Sequence, residues 1–211
     1  MVVVGVLAVG CGGQSGDPAP PSATAVRTQG ASPSTKPGHH TVVGRVPRAP
    51  GSTPSIVTLQ PHVSGDLPPP AEHKMMNQVG RSFVPTLLLV QRGQVVEFRN
   101  SDAELHNVRL VDVGTGTTLL DVNMPMEVVH PYTFERPGIY AVYCDLHPGM
   151  DADIVAVSTP HSTIADSEGN FLLRDVAAGA YTLTVRYGGK QIEREVEIDA
   201  QRTELIVEQA P

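Results

Sequence analysis

Tryptophan is absent from this chain, and aromatic residues of all kinds make up only 4% of its 211 positions. Cations are also few. Fifteen lysines and arginines face 22 aspartates and glutamates, for a formal net charge of -7, and no basic run occurs. Phosphate backbones are gripped by clustered cations, so nucleic acid is excluded as a partner. No apolar run approaches the roughly 20 residues of a membrane-spanning helix. Beyond residue 40 no segment keeps an apolar period of 3.6, which argues against a helical protein. Cysteine occurs twice, as Cys11 and Cys144. What the chain does have is 40% hydrophobic residues, enough for a core, together with 20 glycines and 19 prolines that imply many turns.

The first residues, "MVVVGVLAVGCGGQSGDP", hold a short apolar run that stops at Cys11. Its length suits the apolar part of an export signal. Small residues before a cysteine, "LAVGC", resemble a bacterial lipobox, although Ala8 stands where leucine is usual. Residues 1–11 are therefore expected to be a signal and lipobox segment. Lipidation of Cys11 would tie the chain to a membrane and make it an exported, periplasmic or cell-surface lipoprotein. Residues 12–40 are Pro, Ser, Gly, Thr and Ala with almost no large apolar side chains. Such a segment buries too little surface to offset its chain entropy, and reads as a disordered tether. His39 and His40 read as its solvated end.

From residue 41 the texture becomes short strands. "TVVGRV", "SIVTLQP", "FVPTLLLVQRG", "QVVEFRNSD", "HNVRLVD", "HPYTFERPGIYAVYCD" and "DADIVAVS" are rich in β-branched residues and bounded by turn formers. Residues 64–82 read as a loop, with His73, Met75 and Met76 as ordinary loop positions. Residues 41–158 are assigned to one β-sandwich. Residues 159–211 read as a second, smaller one of about five strands, marked by the "DSEGNF" turn and the "AAGAYTLTV" strand. About fifty residues are few for an independent core, so this unit is expected to pack on the first.

The chemistry concentrates in "YCDLHPGM". If Cys11 carries lipid, Cys144 has no disulfide partner in its own chain. An exported lone thiol is open to oxidation unless it is buried or held. Cys144 ends one strand, His147 and Met150 follow on the turn, and another strand resumes at Asp151. His106, at the start of an earlier strand, is the candidate fourth ligand. Two imidazoles, one thiolate and a weak thioether form the trigonal type 1 copper site. His62, His130 and His161 have no partners at ligand spacing and read as structural.

Region 81–158 resembles the cupredoxins, the family of plastocyanin, azurin and amicyanin. The likeness rests on "VQRGQVVEFRNSD", "LHNVRL", the "FERPGIY" turn and "YCDLHPGM", whose short ligand loop is most similar to that of amicyanin. It implies an all-β cupredoxin Greek-key β-sandwich holding one type 1 copper on His106, Cys144, His147 and Met150. It also implies that Asn107 ties the ligand loops together and that Tyr140 is a tyrosine-corner residue. Leu146 stands where such loops usually carry proline, and its restored N–H is expected to point back at the Cys144 sulfur. The second unit is similar to the carboxypeptidase-regulatory-like, transthyretin-type sandwich. The pairing is similar to exported bacterial proteins termed methylamine-utilisation-like or plastocyanin-like.

The expected function is extracytoplasmic electron transfer between redox protein partners. An oxidase or nitrite reductase would need histidines flanking the cysteine, or His-x-His pairs for further coppers. Here Tyr143 and Asp145 flank Cys144, so the chain is expected not to be an enzyme. The alternatives are a copper-binding surface or adhesion protein, or copper delivery or storage.

Overall fold

A computed structural model describes residues 38–48, 54–63, 68–200 and 203–207. Among them are sixteen strands and no helix. The first eight are β1 (His39–Arg45), β2 (Ile56–Pro61), β3 (Lys74–Gln78), β4 (Phe83–Val84), β5 (Leu87–Gln91), β6 (Val95–Asn100), β7 (His106–Asp112) and β8 (Thr117–Met124). The rest are β9 (Val129–Thr133), β10 (Gly138–Tyr143), β11 (Asp151–Val157), β12 (Ser162–Ile164), β13 (Asn170–Ala177), β14 (Gly179–Tyr187), β15 (Lys190–Ile198) and β16 (Glu204–Ile206).

The first sandwich pairs a five-stranded sheet, β5-β11-β10-β7-β8, with a four-stranded sheet, β4-β3-β6-β9. The chain passes from one sheet to the other between β4 and β5, β5 and β6, β6 and β7, β8 and β9, and β9 and β10, giving a Greek-key path. Alternation in β6 shows why the sheets face each other. Val96, Phe98 and Asn100 are buried while the residues between them are more open. Phe83, Phe98, Val108, Leu110, Phe134 and Ile154 lie in the core between the sheets. Tyr140 joins them, and its hydroxyl donates to the Arg136 carbonyl at 2.6 Å, the tyrosine corner expected of it.

The second sandwich corrects the expected boundary at residue 41. Its sheets run β13-β1-β16 and β12-β2-β14-β15. β1 pairs with β13 and β16, and β2 with β12 and β14, so these two strands belong with the C-terminal ones. The reason is the shortage of apolar residues in the C-terminal segment alone. Val42, Val57 and Leu59 complete a core with Phe171, Leu173, Leu183, Val185 and Ile198. Gly44 is required in the middle of β1, since a Cβ there would sit 2.0 Å from the Leu205 carbonyl oxygen. His39 and His40 are not a tether end but the first residues of β1, opposite Ala177 and Val176.

The two sandwiches meet on a smaller apolar cluster. Leu89, Val155 and Val157 on the outer face of the first pack against Ile56 of the second, with Leu87 and Ile164 alongside. The outer face of β11 is thereby covered, which is why Val155 and Val157 are buried as well as the inward-facing Ile154.

The segment expected to be a loop at 64–82 contains the interior strand β3. Its "KMMNQ" sequence lacks β-branched residues and so hides its period, yet Met76 and Gln78 point inward. His73 bonds the Glu97 carboxylate at 2.8 Å. Cys11 and residues 1–37 lie outside the described residues, as does most of the expected tether.

Candidate metal centre

The ligand turn is closed by its own backbone. Cys144 N–H donates to the Met150 carbonyl at 3.0 Å, Met150 N–H to His147 at 3.2 Å, and His147 N–H to Cys144 at 3.4 Å. Gly149, at φ 80°, supplies the left-handed step that lets the turn reverse into β11. The turn hangs between β10 and β11, which are neighbours in the sheet. β7 lies on the other side of β10 and brings His106 to the same end of the sandwich.

Three donor atoms converge there. His106 Nδ1 and His147 Nδ1 are 3.0 Å apart. Cys144 Sγ is 3.7 Å from the first and 3.5 Å from the second. Among the described residues, His106, Cys144 and His147 form a group whose ligand atoms lie within 4.8 Å of one another. His106 and Cys144 are buried, while the His147 side chain keeps 20% of its exposure. Met150 is buried in the same core cluster as Cys144, at the far end of the turn. The structure thus brings together three of the four expected ligands and places the fourth on the same closed turn.

The donor set suits a soft, redox-active ion. Sulfur and imidazole nitrogen are ligands that copper accepts in both of its common oxidation states. The outward ring nitrogens support the same reading. His106 Nε2 lies 2.9 Å from Asp102 Oδ2, and His147 Nε2 lies 3.2 Å from Glu104 Oε2. An imidazole bonded to a carboxylate through Nε2–H keeps the lone pair of Nδ1 directed inward. Both carboxyls are held below their ordinary acidity range. For Asp102 the cause is chiefly the backbone N–H groups of Arg81 and Gly80, and for Glu104 chiefly the Arg81 side chain.

Asn107 links β7 to the ligand turn. Its Oδ1 accepts from Asp145 N–H at 2.7 Å. Its Nδ2 donates to Asp145 Oδ2 and Asp121 Oδ1, each at 3.1 Å. Asp145 also receives Arg109 Nε at 2.9 Å, and that guanidinium lies over the Tyr143 ring at 4.7 Å. The Asn107 amide and the Arg109 guanidinium hold the Asp145 carboxyl below its ordinary range. Gln78 buttresses the site from β3, its Nε2 donating to the Asn107 carbonyl at 3.0 Å.

Leu146 departs from expectation. Its side chain is 49% exposed, and among the described residues the sulfur meets the two imidazole nitrogens rather than the Leu146 N–H. Asp102, Glu104, Arg81, Gln78, Arg109 and Asp145 were not anticipated. The one signal in the sequence is the i, i+4 spacing of Asp102 and His106, a short reach for a side-chain bond in the tight "SDAELH" loop.

No family model matches the chain, and no curated protein matches it. Among solved structures it is similar to a purple cupredoxin from Nitrosopumilus maritimus, with 22% identity over 40% of this chain and 99% of that one, at a TM-score of 0.36. A reduced amicyanin variant is 21% identical over 55% of this chain and 99% of its own, with a TM-score of 0.38. A copper-containing nitrite reductase from Thermus scotoductus SA-01 is 26% identical over 47% of this chain, with a TM-score of 0.40, and the match spans only 26% of the reductase. The neighbours are cupredoxins, and each likeness covers about half of this chain.

Proposed function

We propose that this chain is a type 1 copper protein that carries single electrons outside the cytoplasm. The observation that carries the reading is the convergence of one thiol sulfur and two inward-turned imidazole nitrogens at the buried end of a β-sandwich. His106, Cys144, His147 and Met150 would hold one copper. Bound there, copper supplies one-electron chemistry by alternating between its cupric and cuprous states.

The chain's own residues favour that use. The sandwich fixes Cys144 just past the end of β10 and His106 at the start of the adjacent β7, and the Asn107–Asp145 bonds lock the ligand turn to β7. A ligand frame that does not rearrange suits an ion that changes charge without changing partners. Core packing around Cys144 and Met150 keeps water from the sulfur ligands. The part-exposed edge of His147 is the point at which a redox protein would come nearest. Export, lipid attachment at Cys11 and a carrier rather than enzymatic role complete the proposal.

The test is the spectrum of oxidised, copper-loaded protein. One copper per chain and an intense thiolate-to-copper visible band are expected, and Cys144→Ser should lose the band. A wild-type protein with only weak absorption, or a band that survives Cys144→Ser, would defeat the assignment.

A further inference from the structure

The turn between β3 and β4 does more than connect two strands. Gly80 and Arg81 both adopt the left-handed conformation, at φ 61° and 56°. For arginine that conformation carries a cost of about 1 kcal/mol. The turn uses it to grip both carboxylates behind the candidate ligands. Gly80 N–H donates to Asp102 Oδ1 at 2.7 Å and Arg81 N–H to Asp102 Oδ2 at 3.0 Å. The Arg81 side chain forks onto Glu104, with Nε on Oε2 at 2.8 Å and Nη2 on Oε1 at 2.6 Å. The loop bearing these acids is itself pinned by buried Asn100. Asn100 donates to the Glu104 and Met124 carbonyls at 2.8 and 2.7 Å and accepts from Asp102 N–H at 2.8 Å.

Resting on the copper reading, we propose that Arg81 and Glu104 are positioning residues for His147: Arg81 clamps the Glu104 carboxylate against the outward nitrogen of that imidazole. The need is specific to this histidine. His106 is fully buried, so packing helps to hold its ring, whereas His147 sits on a short turn and is open on one side. A carboxylate on Nε2–H fixes the tautomer and the ring orientation and makes Nδ1 a stronger donor. A stronger donor and a nearby negative charge both favour the cupric state, so the clamp lowers the reduction potential.

Arg81 then has two effects of opposite sign. Its positive charge alone favours the cuprous state and raises the potential, while its fork keeps the Glu104 carboxylate on the ring and lowers it. An exposed glutamate without its fork is free to leave the imidazole, so the positioning effect dominates. Exposed ion pairs of this kind add little to folding stability, which leaves orientation as the purpose of this one.

The experiment uses the full chain, copper-loaded, as wild type, Glu104→Gln, Arg81→Gln and the double variant. The visible band, the midpoint potential and, in the cuprous protein, the NMR signal of the His147 Nε2 proton are recorded. The band is expected in all four. A raised potential is expected in each single variant, with no further rise in the double variant beyond Glu104→Gln alone, because Arg81 acts through Glu104. The Nε2 proton should exchange faster with water in both single variants. A lowered or unmoved potential in Arg81→Gln, or additive shifts in the double variant, overturns the clamp while leaving the copper reading intact. Absence of the band from the wild type sinks the copper reading and the clamp together.

Discussion

The two sandwiches are built alike and filled differently. Each packs two antiparallel-rich sheets over an apolar core, and each carries a tyrosine whose hydroxyl bonds a carbonyl four residues upstream. In the first it is Tyr140 on Arg136, in the second Tyr181 on Ala177 at 2.9 Å. The buried polar side chains are not shared. Gln78, Gln94, Asn100, His106 and Asn107 lie in the first sandwich, whereas Ser55 and Thr159 lie near the junction. Burying a polar group costs free energy unless it is bonded. The first sandwich has accepted that cost at one end, where Gln78, Asn100 and Asn107 brace the ligand loops. The core of the second, among the described residues, is built from aliphatic and aromatic side chains, with the Tyr181 hydroxyl bonded at its edge. One sandwich is organised around a site and the other around its own packing.

The largest effect is expected at Leu59. This residue is fully buried in β2 and lies in the second core. Leu59→Ala should lower stability by about 2–5 kcal/mol, from lost burial and the cavity left behind. Chemical denaturation measures it. The copper spectrum of the protein that remains folded should be unchanged. A shifted band in the folded variant would mean that the second core helps to set the site.

Asn107→Ala is the matched test in the first sandwich. It leaves Asp145 N–H without its protein acceptor, at a cost of about 0.5–1.5 kcal/mol, and frees the ligand turn from β7. A smaller stability loss than for Leu59→Ala is expected, together with a broadened or weakened visible band. An unaltered band with lost stability would reduce Asn107 to a structural role.

Much of the site was legible because its chemistry is local in the chain. Cys144, His147 and Met150 share one turn, and the strand that follows told where the turn reverses. His106 was found because a strand start with "HN" offers the complementary donor. The fold was legible as β-strands, but not as their partners. β1 and β2 pair with strands more than a hundred residues away, and nothing in "TVVGRV" or "SIVTLQP" names a distant partner. β3 was missed because Lys74, Asn77 and Gln78 look like loop residues, while what holds them is pairing with β4 and β6 and the bond from buried Gln78 to the Asn107 carbonyl. Arg81, Asp102 and Glu104 were invisible for a related reason. Charged residues in turns ordinarily face solvent, and only the fold reveals that Asp102 and Glu104 face two imidazoles and that Arg81 holds Glu104.

Leu146 should give the smallest effect of the series, and it sharpens what the ligand turn requires. Proline at this position removes the backbone N–H, whereas alanine keeps it and trims the side chain. Were that N–H bonded to the Cys144 sulfur, it would draw density from the thiolate, and its loss would lower the reduction potential in Leu146→Pro alone. In the structure the sulfur faces His106 and His147, and the Leu146 side chain is half in solvent. Neither the N–H nor the side chain is committed to the metal side of the turn. Leu146→Pro and Leu146→Ala should therefore shift the midpoint potential by the same small amount, and stability should change by about 0.5 kcal/mol or less in the alanine variant, as at other exposed positions. Voltammetry of the two variants beside wild type makes the measurement. A drop confined to Leu146→Pro would show that the amide turns toward sulfur when copper is bound, and would add a backbone donor to the residues that set the potential.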